Sequence, residues 1–465
     1  MKKMKKLVVI LLCLVMVFAM TACFSKKKAQ EPSGTTEPTV TAAPTGNAGN
    51  GTNTTDGSGT AGVTELKLWH MEEPPNRVKR FQSVIDKFNA EHSDIKVTVE
   101  VQSWNNAYTE FPAAIMAGSG PDLLATIPDH ATVIYELGVV QPVTDIVNAI
   151  DAEQKYYDSA IAPYKYGNDI YAIPVYGMGQ VLWYRADMFK AAGLTPPTNW
   201  EELVNCAKAL TKDEVYGIAL PASLSMATDQ VIYSFMASAG AENVISSDNT
   251  ISFNNENTVK AYETYYELLK YSPEDSNTYT WGEPQALLNS GKVAMAIEKG
   301  QYLATFESES GVAPENLGCV VMPASDASHD SKSIFYSNAF MLLSKDQAKK
   351  DAAGVFFKWL MSPDVYGDFL NAEPGLFVPL TETGAASDLY KSDAVLKKYP
   401  KQLDTLLSAT SGGVLFGFTD GVCMNIGKIT GPNLLAQTLH QMTVNNLSAS
   451  DAVAWGEGEM KKAIE

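Results

Sequence analysis

Rings, carboxylates and hydroxyls gather where the predicted strands of this chain end. Trp69, His70 and Glu72 close the first apolar alternation. Ser119 and Asp122 flank a Gly120-Pro121 turn, and Tyr176 follows Pro174 closely. Trp281 stands in the polar run Tyr279–Glu283, where no apolar periodicity accounts for it. Glu298 and Tyr302 lie just past the strand-like run Lys292–Ile297. Tyr336 precedes another apolar run, and Phe416 sits in the Gly/Phe-rich loop Gly412–Phe418. Flat rings offer stacking faces, and the polar groups offer hydrogen bonds, which is the chemistry of reversible binding. Each residue also has an ordinary structural use. Trp69 can pack at a domain edge, and Asp122 can cap its turn. Trp183 and Tyr184 point to opposite faces of one strand, so at most one of them reaches a cleft.

Covalent chemistry has weaker support. A glycosidase needs two carboxyls about 5 to 9 Å apart. Among 53 acidic residues such a pair can always be imagined, so the count decides nothing. Neither a Gly-x-Ser-x-Gly elbow nor a His-Glu-x-x-His metal motif occurs. The five histidines are scattered and no Cys-x-x-Cys is present, so no metal site and no cofactor is expected. Cys206, Cys319 and Cys423 are widely spaced and odd in number; they read as buried thiols, with one pairing left open.

These positions need elements to hold them. Glu65–Trp69 alternates as a strand, and Phe81, Val84, Ile85 and Phe88 mark one helical face. Ile95–Val101 is a second strand, Ala107–Met116 a helix stopped by Gly118, and Leu123–Leu124 a third strand. Strand and helix alternate, which predicts an α/β fold with a mainly parallel sheet. Gly167–Leu203 then carries two apolar runs separated by Pro174, Gly177 and Gly179. Proline and glycine between two strands allow the chain to turn and enter another lobe. Tyr216–Leu220, Lys292–Ile297, Leu317–Met322 and Ala339–Leu343 read as strands. Gln347–Met361 reads as a helix with Ala348, Ala352, Val355, Phe356, Trp359 and Leu360 on its apolar face. The last hundred residues are mostly helical. The chain has 465 residues, too many for one ordinary core, and no long linker divides the two lobes.

The first 62 residues differ from the rest. Four lysines precede the apolar run Leu7–Met20, which is the pattern of a secretory signal over residues 1–22. Fourteen apolar residues are short for a membrane span of about 20. Met20-Thr21-Ala22-Cys23 resembles the bacterial lipoprotein cleavage box, although the box prefers leucine at Met20. It implies lipidation at Cys23, and acyl chains would hold the domain at a membrane. Residues 23–62 carry no aromatic beyond Phe24 and read as a flexible tether. Removing residues 1–22 takes away four lysines and no acid, so net charge goes from −18 to −22. Such a chain is a poor partner for nucleic acid.

Several segments together resemble a known family. They are Ala117–Asp122, Tyr171–Pro174 with Trp183–Phe189, Ala192–Leu194 with Pro196–Leu203, Gly291–Met295 and Ala352–Leu360. In order and spacing they resemble the extracellular solute-binding lipoproteins of bacterial ABC importers, of the carbohydrate-binding class. Arg185 departs from the usual asparagine. The resemblance covers about residues 63–465. It implies a two-lobed periplasmic-binding-protein-like α/β fold with hinge crossovers and a ligand cleft. The expected segments are 63–175 and 331–375 for the N-terminal lobe, and 176–330 and 376–465 for the C-terminal lobe. It further implies a monomer that binds a carbohydrate, with an oligosaccharide favoured. Its partners would be permease subunits and a separate ATPase, since no GxxxxGK[ST] motif is present. The implied location is the outer face of the cytoplasmic membrane of a Gram-positive bacterium. Family members often set an aromatic near Tyr302 against the sugar. A peptide or polyamine ligand, with Glu72, Asp122 and Glu298 facing a cation, is the alternative, as is a secreted glycoside-acting enzyme.

Overall fold

A computed structural model describes residues 62–465; the expected signal, Cys23 and the tether lie outside the described residues. Eight strands organise the fold: β1 (Thr64–His70), β2 (Ile95–Val101), β3 (Leu123–Thr126), β4 (Ile173–Gly179), β5 (Val181–Arg185), β6 (Met295–Glu298), β7 (Leu317–Val320) and β8 (Phe335–Leu342). The first sheet runs β2-β1-β3-β8-β4. Its first three strands are parallel, because the helix Pro75–Glu91 carries the chain from β1 to β2 and buries Phe81, Ile85 and Phe88. β8 returns antiparallel to both β3 and β4. The second sheet runs β6-β5-β7, all antiparallel to its centre. Tyr216 and Ala219 add single parallel bridges to Val293 and Ala296, so the run expected as a strand at 216–220 lies beside this sheet without forming a full ladder.

Two buried clusters pack the fold, and the second sheet contributes one face to each: Trp183, Ala296 and Leu317 join the first cluster, and Leu182, Met295 and Ile297 join the second. The first holds Trp69, Phe81, Phe111, Phe340 and Phe356; the second holds Phe189, Trp200, Phe235, Tyr262 and Phe416. Two lobes follow. The first cluster also takes Leu376, Phe377, Tyr390 and Leu396.

Two local expectations change. The helix predicted over Ala107–Met116 divides into a 3-10 turn at Trp104–Asn106 and a helix at Glu110–Met116. Pro112 explains the division: it has no N–H to give and its ring crowds the carbonyl four residues back. In the helix Gln347–Leu360 the buried face is rotated. Ala353 and Phe357 are buried, whereas Ala348 and Val355 are exposed. This helix packs both on β1 and on the helix Thr144–Gln154, which a single-face reading does not anticipate.

The crossing between lobes is short. Only Gln180 separates β4 from β5, and it is fully buried. Ser333 Oγ donates to the Gln180 carbonyl at 2.8 Å. Val414 N donates to Ser333 O, and Phe335 N donates to Val414 O, both at 3.0 Å. Three stretches of chain therefore run side by side at the crossing. Gly413 is required there: a Cβ on it would lie 2.3 Å from the Phe335 Cβ. The chain crosses more than once, as expected of a hinge.

Candidate binding site

A cavity of about 500 Å³ opens between the two lobes. That volume is in the range of small-molecule sites. One wall comes from the loop after β1 and the start of its helix: Met71, Glu72, Glu73, Pro74 and Arg77, joined by Trp104, Ile127 and Leu376. The floor comes from the crossing strands through Met178, Tyr336 and Asn338. The opposite wall comes from the end of β6 and neighbouring helices: Met226, Gln230, Trp281, Gln285, Glu298, Lys299 and Gln301. Strand ends and helix starts build such walls because regular backbone hydrogen bonding stops there and side chains turn outward.

The first wall is held together by ion pairs, although His70 Nε2, Arg77 Nε and Glu373 Oε2 lack a hydrogen-bond partner among the described residues. Arg77 Nη1 donates to Glu72 Oε2 at 2.6 Å, and its Nε lies 3.3 Å from Glu373 Oε2. The Tyr176 hydroxyl donates to Glu72 Oε1 at 3.0 Å. Burial works against the Arg77 charge, but the two carboxylates outweigh it and hold the guanidinium above its usual range. Burial pushes Glu373 up despite Arg77. Behind them the His70 ring packs tilted against Phe81 at 4.4 Å and accepts from Glu72 N at 3.0 Å. Burial brings His70 down to about 4, so it is neutral near pH 7.

The opposite wall also carries unpaired polar atoms. Lys299 Nζ donates to Gln230 Oε1 at 2.7 Å, lies 3.3 Å from Glu298 Oε1, and sits 5.5 Å from the Trp281 ring centroid. Trp281 Nε1 and Gln301 Oε1 are buried without partners among the described residues, as is Asn338 Nδ2 on the floor.

Of the predicted site residues, Glu72, Trp281, Glu298 and Tyr336 line this cavity. Tyr176 stands behind Glu72 and orients it. The others lie off the cavity wall, each for a stated reason. Trp69 packs on Phe111 and its indole donates to Glu100 at 2.7 Å. His70 is 2 % exposed under Phe81. Ser119 is exposed and donates to Ala114 O at 3.0 Å. Asp122 accepts from Lys67 N and pairs with Lys349 at 2.8 Å, tying β1 to the helix Gln347–Leu360. Tyr302 is 0 % exposed and stacks on Trp183 at 5.1 Å. Phe416 packs on Tyr233 at 4.6 Å in the second core.

Sequence reasoning passed over Arg77, Trp104, Gln230, Lys299, Gln301 and Asn338. Lys299 and Gln301 adjoin the flagged Glu298, so the run after β6 carried a usable signal. Asn338 carried none, because it lies within an apolar strand. Cys206, Cys319 and Cys423 are free thiols. No group of three or more His, Cys, Asp or Glu suited to a metal ion occurs among the described residues. No helix among them is long and apolar enough to cross a membrane.

Comparison with known proteins agrees with this architecture. A putative ABC transporter periplasmic-binding protein, YcjN of Escherichia coli, is 23% identical over 412 residues, covering 86% of this chain and 93% of that protein. The mannitol-binding protein of Pseudomonas aeruginosa is 28% identical over 235 residues, covering 48% of this chain and 53% of its own length. A solute-binding protein of Agrobacterium radiobacter in complex with ribitol has the same fold, with a TM-score of 0.73 at 20% identity, covering 86% of this chain and 99% of that one. The maltose-bound MalE3 of T. maritima gives 0.72 at 15% identity, covering 86% of this chain and 100% of that one. The family profile for bacterial extracellular solute-binding proteins matches residues 74–366, and the chain belongs to that family.

Proposed function

We propose that this protein captures a carbohydrate or related polyol outside the cell and hands it to the permease of an ABC importer. One observation carries the reading: a single cavity between two lobes is edged by Trp104, Trp281 and Tyr336 and interspersed with amides and carboxylates from both walls. Rings cover the C–H faces of a sugar, and the amides and carboxylates take its hydroxyls. Relatives are transporter binding proteins, one of them a mannitol-binding protein, which supports binding without turnover. The polyamine alternative is less well supported, because Glu72 and Glu298 already face Arg77 and Lys299.

The mechanism is hinge closure. A ligand touching both walls stabilises the closed arrangement by its differential affinity for it. The crossing at Gln180, Ser333–Phe335 and Val414 is the place for the bend. Cys23 would carry the lipid and residues 24–62 the tether, which keeps a monomer at the outer face of the cytoplasmic membrane of a Gram-positive cell. An oligosaccharide remains the favoured size. A thermal-shift screen of mono- and oligosaccharides, polyols, peptides and polyamines tests the class, since a ligand of the folded state raises Tm. Small-angle scattering with the best ligand then shows a smaller radius of gyration. Identical curves with and without ligand would remove hinge closure, and a shift with peptides alone would remove the carbohydrate class.

A further inference from the structure

Both cations on the cavity wall are already occupied. Arg77 lies between Glu72 and Glu373, and Lys299 between Glu298 and the Gln230 carbonyl oxygen. Drawing either cation toward an anionic ligand would make that ligand compete with a buried carboxylate for the same positive charge, which weakens its attraction. Glu73 adds a further negative charge to the rim. Three residues lining the cavity carry unpaired polar atoms that are neutral, the Asn338 amide N–H, the Trp281 indole N–H and the Gln301 amide oxygen; each atom is itself buried, so a small side-chain rotation would turn it toward a ligand.

Asn338 reaches the floor for a backbone reason. Pro174 lies opposite Ala339 and has no N–H for the ladder. The β4–β8 register shifts between Asn338 and Ala339 at that point. Such bulges re-aim a side chain and recur beside binding sites. Asn338 is 5% exposed and Gln301 is 7% exposed, so each polar group left unpaired costs free energy that a ligand hydroxyl recovers.

Resting on the solute-binding reading above, we infer that the site selects neutral polyhydroxylated ligands and rejects their anionic counterparts, with Asn338 and Trp281 as donors and Gln301 as acceptor to ligand hydroxyls. A hydroxyl both donates and accepts, so it matches this mixed set. A carboxylate or fully ionised phosphate only accepts; it would meet the Gln301 oxygen and three carboxylates on the cavity wall, those of Glu72, Glu73 and Glu298.

Calorimetry on the full chain tests this with paired probes: glucose against glucose 6-phosphate and glucuronate, mannitol against mannitol 1-phosphate, and maltose, laminaribiose and sn-glycerol 3-phosphate alongside. The expected result is binding of at least one neutral probe, with its anionic counterpart weaker by about a hundredfold or more. Trp281→Phe keeps the ring and removes the N–H; Asn338→Asp keeps the shape and removes the donor. Each lowers affinity for the neutral probe by at least about fivefold, with Tm of the free protein close to wild type for Trp281→Phe. An anion that binds as tightly as its neutral partner overturns the selection and leaves the solute-binding reading intact. A neutral ligand whose affinity is unchanged in both variants overturns the assignment of the donors. Binding only of peptides or polyamines overturns both this inference and the carbohydrate reading.

Discussion

The two walls of the cavity are built on opposite plans. The wall after β1 is tied together by charge: His70 accepts from the Glu72 backbone, Tyr176 and Arg77 hold its carboxylate, and Glu373 backs Arg77 across an ion pair of 3.3 Å that lacks hydrogen-bond geometry, while His70 Nε2 has no partner among the described residues. The wall after β6 leaves Trp281 Nε1 and Gln301 Oε1 unpaired. A set tied by ion pairs is held in place before any ligand arrives. A set with unpaired members gains most when a ligand completes it. The comparison assigns shape and charge exclusion to the first wall and hydroxyl reading to the second. It also makes the two walls separable by mutation.

Removing Arg77 attacks the ion-paired set at its centre. Arg77→Ala leaves Glu72 and Glu373 buried and uncompensated, and is expected to cost about 3 to 5 kcal/mol of stability in urea unfolding. A loss under about 1 kcal/mol would break the idea that this wall is a mutually dependent unit.

Tyr302 tests the support behind the second wall. Its ring lies flat on Trp183, so Tyr302→Ala is expected to lose about 3 to 4 kcal/mol of stability through the cavity it leaves. Its hydroxyl has no partner among the described residues. Tyr302→Phe should therefore match or exceed wild-type stability and bind ligand normally. Weakened binding in Tyr302→Phe would return that hydroxyl to the site.

A pH series isolates the first wall. The folded His70 sits at about 4 against an ordinary 6.5, so below pH 6.5 the unfolded chain takes up a proton that the folded chain refuses. Its contribution is full above pH 6.5, falls as pH drops, and levels off near 4. Wild type should thus lose about 3 kcal/mol relative to His70→Phe across that window. Buried Asp129, Asp229 and Glu373 are shifted upward and oppose the trend in both proteins, which is why the difference between them is the quantity to measure. Parallel pH profiles would show that His70 is not held neutral.

The smallest effect concerns Trp104, the ring on the first-lobe side. It is only partly buried and lines the cavity from a 3-10 turn. Trp104→Ala is expected to weaken the ligand about tenfold, with little change in the stability of the free protein. Unchanged affinity would leave stacking to Trp281 and Tyr336.

Much of the fold was legible in the chain itself. Alternation at Glu65–Trp69 and Ile95–Val101, the 3.6-residue spacing of Phe81, Ile85 and Phe88, and the proline and glycine at the crossing are local signals, and local sterics and apolar period express them directly. Part of the cavity lining was also legible, since Glu72, Trp281, Glu298 and Tyr336 each lie at or beside the end of a strand or helix. What one dimension could not supply was direction at close quarters. Glu298 ends β6 and Tyr302 follows four residues later, yet Glu298 lines the cavity and Tyr302 lies on Trp183. Phe416 had a loop-like setting and is 1% exposed against Tyr233. Asn338 was hidden in an apolar run, and a register shift opposite a proline from a distant strand brought it to the cavity floor. Residue type and period determine which element forms and which of its faces is apolar. Which ring stays in the cavity is decided by partners far away in the chain, because the free energy of burying a ring depends on what is already packed against it.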